Sequence, residues 1–294
     1  MSGRLRWVAF AAAASLAMAG CSSNSEGSGP TGSVTNSIST QKDARSFLPA
    51  KIKKAGKLIV GVNVPYSPNE YISNGKVVGF DVDLMDAVAK SLGLTTDYRQ
   101  ADFEKIVPAV KAGTFDVGMS SFTDSKEREK TDDFVDYFSA GILWAQQKGK
   151  KVDPLNACGL TVSVQATTVE ETDELPALSK KCTEAGKKAI KILSFPSQDD
   201  ATNAVVLGKA DAMSADSPVT AYAIKQSGGK LAQAGDIRES APYGWPVAKG
   251  SSLSKALMMA LQSLIDAGTY DQICTKWGVQ SGEIEKATLN GAVS

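Results

Sequence analysis

The sequence predicts an α/β protein of two similar lobes, each with a mixed, mainly parallel sheet that is flanked by helices. Two observations support this fold class. Short apolar strand patterns alternate with segments of helical spacing, which is typical of a parallel sheet covered by helices. The order of strand, small polar turn and helix also occurs twice, first from residue 57 and again from residue 160. Ligands of such sheets bind at the carboxyl ends of the strands, so a site is expected there.

The first of these units begins with a compact apolar strand from Lys57 to Val62. Residues 77–92 then change to helical spacing, with Asp81 and Asp83 near the end where the helix dipole favours acidic side chains. Residues 106–112 predict a second, shorter helix. A strand that begins at Phe115 follows it.

The segment after this strand has the features of an anion-binding turn. Ser120, Ser121 and Thr123 crowd hydroxyl and backbone N–H groups together, and a charged helix capped by Asp124 or Ser125 is expected next. Arg128 would lie one turn inside that helix, so its guanidinium and the helix N-terminus could bind one carboxylate or phosphate. The alternative is an ordinary surface helix in which Arg128 pairs with Glu127 or Asp132.

The second unit has the same layout, followed by two terminal helices. Strands are predicted at residues 160–165, 190–195 and 210–214, and helices at residues 199–207 and 217–226, the latter with Pro218 in its first turn. Residues 253–277 predict two amphipathic helices that are broken at Gly268.

The composition excludes several function classes. Lys+Arg and Asp+Glu both number 32 in the 294 residues, so no basic excess exists to bind nucleic acid or an anionic membrane surface. The chain contains no histidine, which removes Ser-His and Cys-His nucleophile pairs and every histidine-containing metal site. We therefore expect no enzyme, no metal and no cofactor.

The N-terminus is predicted to be a secretion signal. Arg4 and Arg6 precede an apolar run that is shorter than the roughly 20 residues needed to cross a bilayer. Residues 18–21 resemble the lipobox of bacterial lipoproteins, in which the cysteine, here Cys21, is diacylated. The expected order is a signal peptide at 1–20 and a flexible lipid-anchored tether at 21–46, with the fold beginning near Phe47.

The other cysteines are odd in number. Cys158 and Cys182 flank one strand-plus-helix unit of an exported chain, so a disulfide between them is the leading hypothesis. Cys274 lies in the apolar pattern of a terminal helix and is predicted to be a buried free thiol.

Several ordered motifs resemble the extracytoplasmic solute-binding proteins of bacterial ABC importers, in the polar amino acid branch (family 3). The motifs span most of residues 56–280 and include GVNVPYSPNEY (61–71), GKVVGFDVDLMDAVAKSLGL (75–94), FEKIVPAVKAGTFDVGMSSFTDSKERE (103–129), VSVQATT (162–168), GKADAMSADSPV (208–219) and LIDAGTYDQICTKWG (264–278). The resemblance implies a type II periplasmic-binding-protein-like fold that holds an amino acid between two lobes.

The resemblance also implies a role for individual residues. Arg128 matches the arginine that binds the ligand carboxylate, with Ser121, Thr123 and Thr168 adding contacts to it. Asp216 matches the aspartate that accepts from the ligand ammonium, although a helix-capping aspartate is the simpler alternative. Tyr66 and Phe103 match the aromatic pair that flanks the ligand side chain, although ordinary core packing would explain them too.

Two positions depart from the family pattern. Ala166 stands where many relatives have glycine, which restricts the approach of the backbone to the carboxylate. Asn63 stands where relatives that bind cationic side chains often have aspartate, so a neutral polar ligand is slightly favoured. Glu70, Asp102 or Asp199 could restore a negative charge.

The resulting hypothesis is a monomeric binding protein on the outer face of the cytoplasmic membrane. Lobe 1 would comprise residues 47–146 and 241–294, and lobe 2 residues 147–240. The partner would be an ABC permease with its cytoplasmic ATPase. Two alternatives stay open: a sensory module for a separate receptor, and a dehydratase-like enzyme with Glu70 or Lys105 as the proton donor.

Overall fold

The computed structural model describes residues 38–293. The predicted signal peptide, Cys21 and the tether up to residue 37 lie outside the described residues. The remainder of the predicted tether differs from expectation, because α1 (Lys42–Ser46) is part of the fold. Ala44 is buried, the Gln41 N–H donates to the Ser91 carbonyl (2.7 Å), and the Arg45 guanidinium donates to the Leu92 carbonyl.

The chain up to residue 131 builds a small parallel sheet and its helices. In chain order the further elements are α2 (Ala50–Ala55), β1 (Lys57–Val62), β2 (Tyr71–Ser73), β3 (Lys76–Val78), α3 (Phe80–Ser91), β4 (Thr95–Gln100), α4 (Phe103–Lys111) and β5 (Val117–Gly118). β1 lies between β4 and β5 and runs parallel to both. β2 and β3 form a hairpin that leads through Gly79 into α3. At Gly79 φ is +148°, and a Cβ would lie 2.0 Å from the Asn69 carbonyl oxygen, so only glycine fits.

The rest of the chain builds a larger mixed sheet. Its elements are β6 (Asp132–Gln147), β7 (Thr161–Gln165), α5 (Leu175–Glu184), β8 (Lys191–Phe195), α6 (Gln198–Val206), β9 (Ala212–Asp216), α7 (Ser217–Gln226), β10 (Leu231–Ala248), α8 (Ser252–Asp266), α9 (Thr269–Trp277) and β11 (Thr288–Leu289). The strand order is β10-β6-β9-β7-β8, with β11 on β6. β7 is parallel to β8 and β9, whereas β6 is antiparallel to β9 and β10.

The charged helix predicted around Arg128 is replaced by a short turn and a long strand. Residues Arg128–Lys130 form one 3₁₀ turn, and the chain then enters β6. The physical reason is that Phe134, Val135, Tyr137 and Phe138 are all buried, so this segment is apolar on both faces and pairs on both edges. A helix N-terminus therefore does not form the anion site that the sequence suggested.

The predictions for Cys158, Cys182 and Cys274 are confirmed. Cys158 and Cys182 form a disulfide that joins the start of the second unit to α5, and Cys274 is a buried free thiol. Within residues 38–293, the structure contains no helix with both the length and the apolar character needed to cross a bilayer.

Candidate functional site

A cavity lies where the carboxyl ends of parallel strands from both sheets meet. β1 and β5 contribute the loops that follow them on one wall, and β7 and β9 contribute their last residues and following turns on the other. The cavity is almost closed in this structure, with a volume of about 10 Å³, which is roughly the space that one water molecule needs. Its lining includes all eight residues that the sequence predicted as ligand contacts, namely Asn63, Tyr66, Phe103, Ser121, Thr123, Arg128, Thr168 and Asp216, and also Ser120, Gln165, Val169 and Glu170.

Arg128 lies on the first wall without a carboxylate partner. Nη1 donates to the Thr123 carbonyl (2.8 Å), and Nη2 donates across the cavity to the Thr167 carbonyl (3.2 Å). No carboxylate oxygen among residues 38–293 lies within 4.0 Å of the guanidinium, so the predicted alternative of a pair with Glu127 or Asp132 is not observed. Burial lowers the pKa of Arg128, while the charges of Glu170 and Asp216 raise it.

Aromatic rings support this guanidinium from one side. Phe103 stacks on Phe122 with ring centroids 4.4 Å apart. The Arg128 Cζ atom lies 5.8 Å from the Phe103 centroid and 5.6 Å from the Phe122 centroid. Phe103 also packs into a small core cluster, so it is both a core residue and part of the lining. The rings hold the planar guanidinium in one orientation.

Asp216 lies on the opposite wall, at the last residue of β9. It occupies the position before α7, but its side chain does not cap that helix. Instead Oδ2 accepts a hydrogen bond from the Tyr66 hydroxyl (2.6 Å), so the helix-cap alternative does not hold. Burial raises the pKa of Asp216 to about 6, against the opposing effect of this hydrogen bond. The same carboxylate and burial raise the pKa of Tyr66.

Within residues 38–293, three hydrogen bonds join the two walls directly. Besides Tyr66–Asp216 and Arg128–Thr167, the Gln165 Nε2 donates to the Asn63 Oδ1 (2.9 Å). The Asn63 Nδ2 donates to the Ala101 carbonyl (3.0 Å), which fixes the orientation of this amide. The walls are therefore in direct polar contact in this structure.

The hydroxyl residues differ in how they are placed. Ser121 has a φ of 51°, and its N–H and Oγ both contact Asp81 Oδ2, at 3.2 and 3.1 Å. It lines the cavity, but its N–H is not the free donor that the sequence suggested. Thr168 Oγ1 donates to the Gln165 carbonyl (2.9 Å), which holds the turn after β7. The ligand contacts of these residues stay predictions.

The acidic residues proposed to restore a negative charge are not equivalent. Asp102 is exposed and pairs with Lys105, and Asp199 is also exposed; neither lines the cavity. Glu70 is fully buried behind the lining, where its Oε1 accepts from Ser120 Oγ (2.7 Å). Burial and the neighbouring Asp81 raise the pKa of Glu70.

Glu170 is the functional candidate that sequence reasoning missed. It lies two residues after Thr168, lines the cavity, and is only 1% exposed. Burial and the Asp216 charge raise the pKa of Glu170. Its only sequence signal was its proximity to the Val162–Thr168 motif.

Chemically, the lining, as far as the structure describes the chain, offers one guanidinium facing two buried carboxyl groups. Such a site suits a small dipolar molecule, because a carboxylate and an ammonium on one carbon can each find a partner of opposite charge. Lys105 is exposed and tied to Asp102, so it is not a proton donor for the cavity. Among residues 38–293, no cluster of side chains has the composition of a metal site.

Comparisons with known proteins agree with this geometry. The model of the family described as bacterial extracellular solute-binding proteins, family 3, matches residues 58–280. Arginine-binding protein ArgT of Corynebacterium glutamicum is 40% identical over 281 residues, which cover 95% of this chain and 92% of that protein.

Solved structures give the same result. An ancestral arginine-binding protein bound to arginine is similar with a TM-score of 0.68 and 33% identity, over 76% of this chain and 98% of that one. The ancestral amino acid-binding protein AncCDT-1, described as a precursor of cyclohexadienyl dehydratase, has a TM-score of 0.67 and 33% identity, over 77% of this chain and 97% of that one. These similarities confirm the predicted two-lobe, periplasmic-binding-protein-like fold class.

Proposed function

Because the chain belongs to family 3 of the bacterial extracellular solute-binding proteins, we propose that it binds an amino acid with a cationic side chain, arginine above all. The observation that carries this proposal is the placement of Arg128 and Asp216 on opposite walls of one cavity. In the complex the α-carboxylate would bind Arg128 and the α-ammonium would bind Asp216. Each charge that is removed from water then gains a partner, which avoids a penalty of several kcal/mol.

Two observations favour arginine over a neutral ligand. The relative ArgT and the ancestral protein of known structure are both described as arginine-binding. Among residues 38–293, the lining also holds two carboxyl groups, Glu170 and Asp216, and one cation, Arg128, so a second cation brought by the ligand would find a carboxyl partner. For these reasons we propose a cationic ligand side chain, whereas Asn63 alone slightly favoured a neutral one. The ligand side chain would extend between Tyr66 and Phe103.

Ligand binding would be coupled to the position of the two walls. Tyr66–Asp216 and Arg128–Thr167 occupy the polar groups that the ligand needs, so an incoming amino acid replaces these hydrogen bonds with its own. A ligand that contacts both walls at once stabilises the closed arrangement over the open one, because only the closed arrangement makes every contact.

The family supports a role in transport, on which the cavity itself gives no information. We propose that the loaded protein delivers its ligand to an ABC permease driven by a cytoplasmic ATPase. We also propose that a lipid on Cys21 anchors the chain to the extracytoplasmic face of the cell membrane, with the segment after Cys21 as a tether. The lobe boundaries at residues 146/147 and 240/241 stay predictions.

The enzyme alternative is not supported, since these relatives are described as binding proteins and neither Glu70 nor Lys105 lines the cavity. The sensory alternative requires a separate receptor and shares the same binding step.

Isothermal titration of the purified protein with the common amino acids tests the proposal. We expect arginine to bind one site per chain and to bind more tightly than glutamine. If no common amino acid bound, the proposed function would be wrong. If glutamine bound more tightly than arginine, the amino acid class would stand and the preference for a cationic side chain would not.

A further inference from the structure

We propose that Glu170 is the residue that makes this cavity select a ligand of net charge +1. The inference rests on the proposed function and deepens it, because it assigns the preference for a cationic side chain to one residue of the second wall. Neither the sequence motifs nor the comparisons assign a role to Glu170.

The position of Glu170 supports this role. It is the first residue of a wide helical turn, Glu170–Glu174, that connects the end of β7 to α5. The side chain is 1% exposed and lines the cavity, and its Oε1 has no hydrogen-bond partner among residues 38–293. A buried carboxylate oxygen without a donor in the wall of a ligand cavity is suited to a donor that the ligand brings.

Other acidic residues of the same turn are already satisfied. Glu174 forms an ion pair with Arg238 and accepts hydrogen bonds from Trp144 Nε1 (2.9 Å) and Ser214 Oγ (2.5 Å). Glu171 accepts from the Thr167 N–H (2.6 Å), which fixes the turn after β7. Glu170 is also a buried glutamate like Glu174, but it has no cationic partner in the described part of the chain.

The charges of the lining explain why this matters for selectivity. Arg128 and Asp216 match the two charges of any amino acid backbone. A neutral amino acid therefore leaves Glu170 without a counter-ion, so the buried carboxyl is driven towards its protonated form and makes no charge-assisted contact with the ligand. A guanidinium or ammonium on the ligand side chain supplies that counter-ion.

Charged and titratable groups surround Glu170 on both walls of the cavity. Arg128 faces it from the first wall, and Asp216, Glu174, Tyr66 and the Thr168 side chain also act on it. Glu70 and Asp81 lie behind Ser120 and Ser121, where hydrogen bonds from Ser120, Ser121 and Tyr137 stabilise them. Burial and the Asp216 charge raise the pKa of Glu170, which shifts the residue towards its neutral form in the empty cavity, and a cationic ligand would shift it back towards its ionised form.

The test compares arginine with citrulline, which has the same shape but a neutral ureido group in place of the guanidinium. Both ligands are titrated into the wild type, Glu170→Gln and the control Asp173→Asn. Asp173 is exposed in the same turn, so the control removes one negative charge that does not line the cavity. We expect Glu170→Gln to weaken arginine about tenfold or more, to leave citrulline unchanged or tighter, and Asp173→Asn to change the ratio of the two affinities little.

Each other outcome has a clear meaning. An unchanged arginine-to-citrulline ratio in Glu170→Gln, or an equal loss for both ligands, would overturn the assignment, since the residue would then be irrelevant or would serve the shared backbone of the ligand. Binding of neither ligand to the wild type would overturn the proposed function itself.

A second measurement needs no variant and covers the case in which Glu170→Gln does not fold. Titrations of the wild type at pH 7 in buffers of different ionisation enthalpy count the protons released on binding. We expect arginine to release more protons than citrulline, because only arginine favours the ionised form of Glu170. Equal proton counts for the two ligands would overturn the inference.

Discussion

Replacing Arg128 by alanine should weaken arginine binding by about 3 kcal/mol or more, which is roughly 150-fold in Kd. A guanidinium has five N–H donors. One N–H of Arg128 donates to the Thr123 carbonyl, and the ligand would free the one that donates to the Thr167 carbonyl. The remaining donors suffice for two charge-assisted hydrogen bonds to a ligand carboxylate, at ~1.5–3 kcal/mol each. Asp216 still holds the ammonium in the variant, so binding is weakened rather than abolished.

The assay is isothermal titration with arginine and with agmatine, which is arginine without its α-carboxylate. Wild type should bind arginine far more tightly than agmatine, and Arg128→Ala should lose most of this difference. The affinity of Arg128→Lys for arginine should lie between those of wild type and Arg128→Ala, because lysine keeps the charge but not the bidentate geometry. Arg99→Ala is the control, since Arg99 is exposed on β4 and pairs with Asp97.

One outcome would contradict the proposed contact between Arg128 and the ligand carboxylate. If Arg128→Ala lowered the affinities for arginine and agmatine by the same factor, the guanidinium would not bind the carboxylate. Its role would then be limited to joining the walls through Thr167.

Three further predictions concern pH and covalent structure. Burial raises the pKa of Asp216 to about 6, so its ionised form is lost as the pH falls through this value. The affinity for arginine, measured by titration, should therefore drop about tenfold from pH 7 to pH 5. An affinity that does not change with pH would contradict this prediction. Asp124 is buried beside Asp136, and burial raises its pKa to about 8. In urea unfolding, Asp124→Asn should therefore be more stable than wild type by roughly 1–3 kcal/mol at pH 8 and equal to it at pH 3. Equal stability of the two proteins at both pH values would refute this prediction. Replacing Cys158 and Cys182, 24 residues apart, by serine should lower the unfolding free energy by about 3 kcal/mol without changing arginine affinity; an unchanged urea midpoint would show that the bridge does not stabilise the fold.

The sequence could predict the elements whose signals are local. β1, α7 and the break between α8 and α9 are where the apolar patterns, Pro218 and Gly268 place them. β6 and β10 were not recognised, because strands of 16 and 18 residues that pair with each other depend on contacts distant in sequence. The run DDFVDYF carries charges at helical spacing, and only burial on both faces makes it a strand.

The site was predictable to the extent that motifs marked it. Arg128 and Asp216 were identified from motifs far apart in the chain, and the fold brings them to one cavity. Glu170 was not identified, because it begins the acidic run EETDE, which is typical of a solvated helix start. Only the turn after β7 shows that this one glutamate faces inward while Asp173 faces solvent.

The most direct test of the account is a crystal structure of the protein with L-arginine. We expect one arginine between the walls, with its α-carboxylate on the Arg128 guanidinium, its α-ammonium on Asp216 and its side chain between Tyr66 and Phe103. Arginine bound outside this cavity, or with its α-carboxylate away from Arg128, would contradict the account.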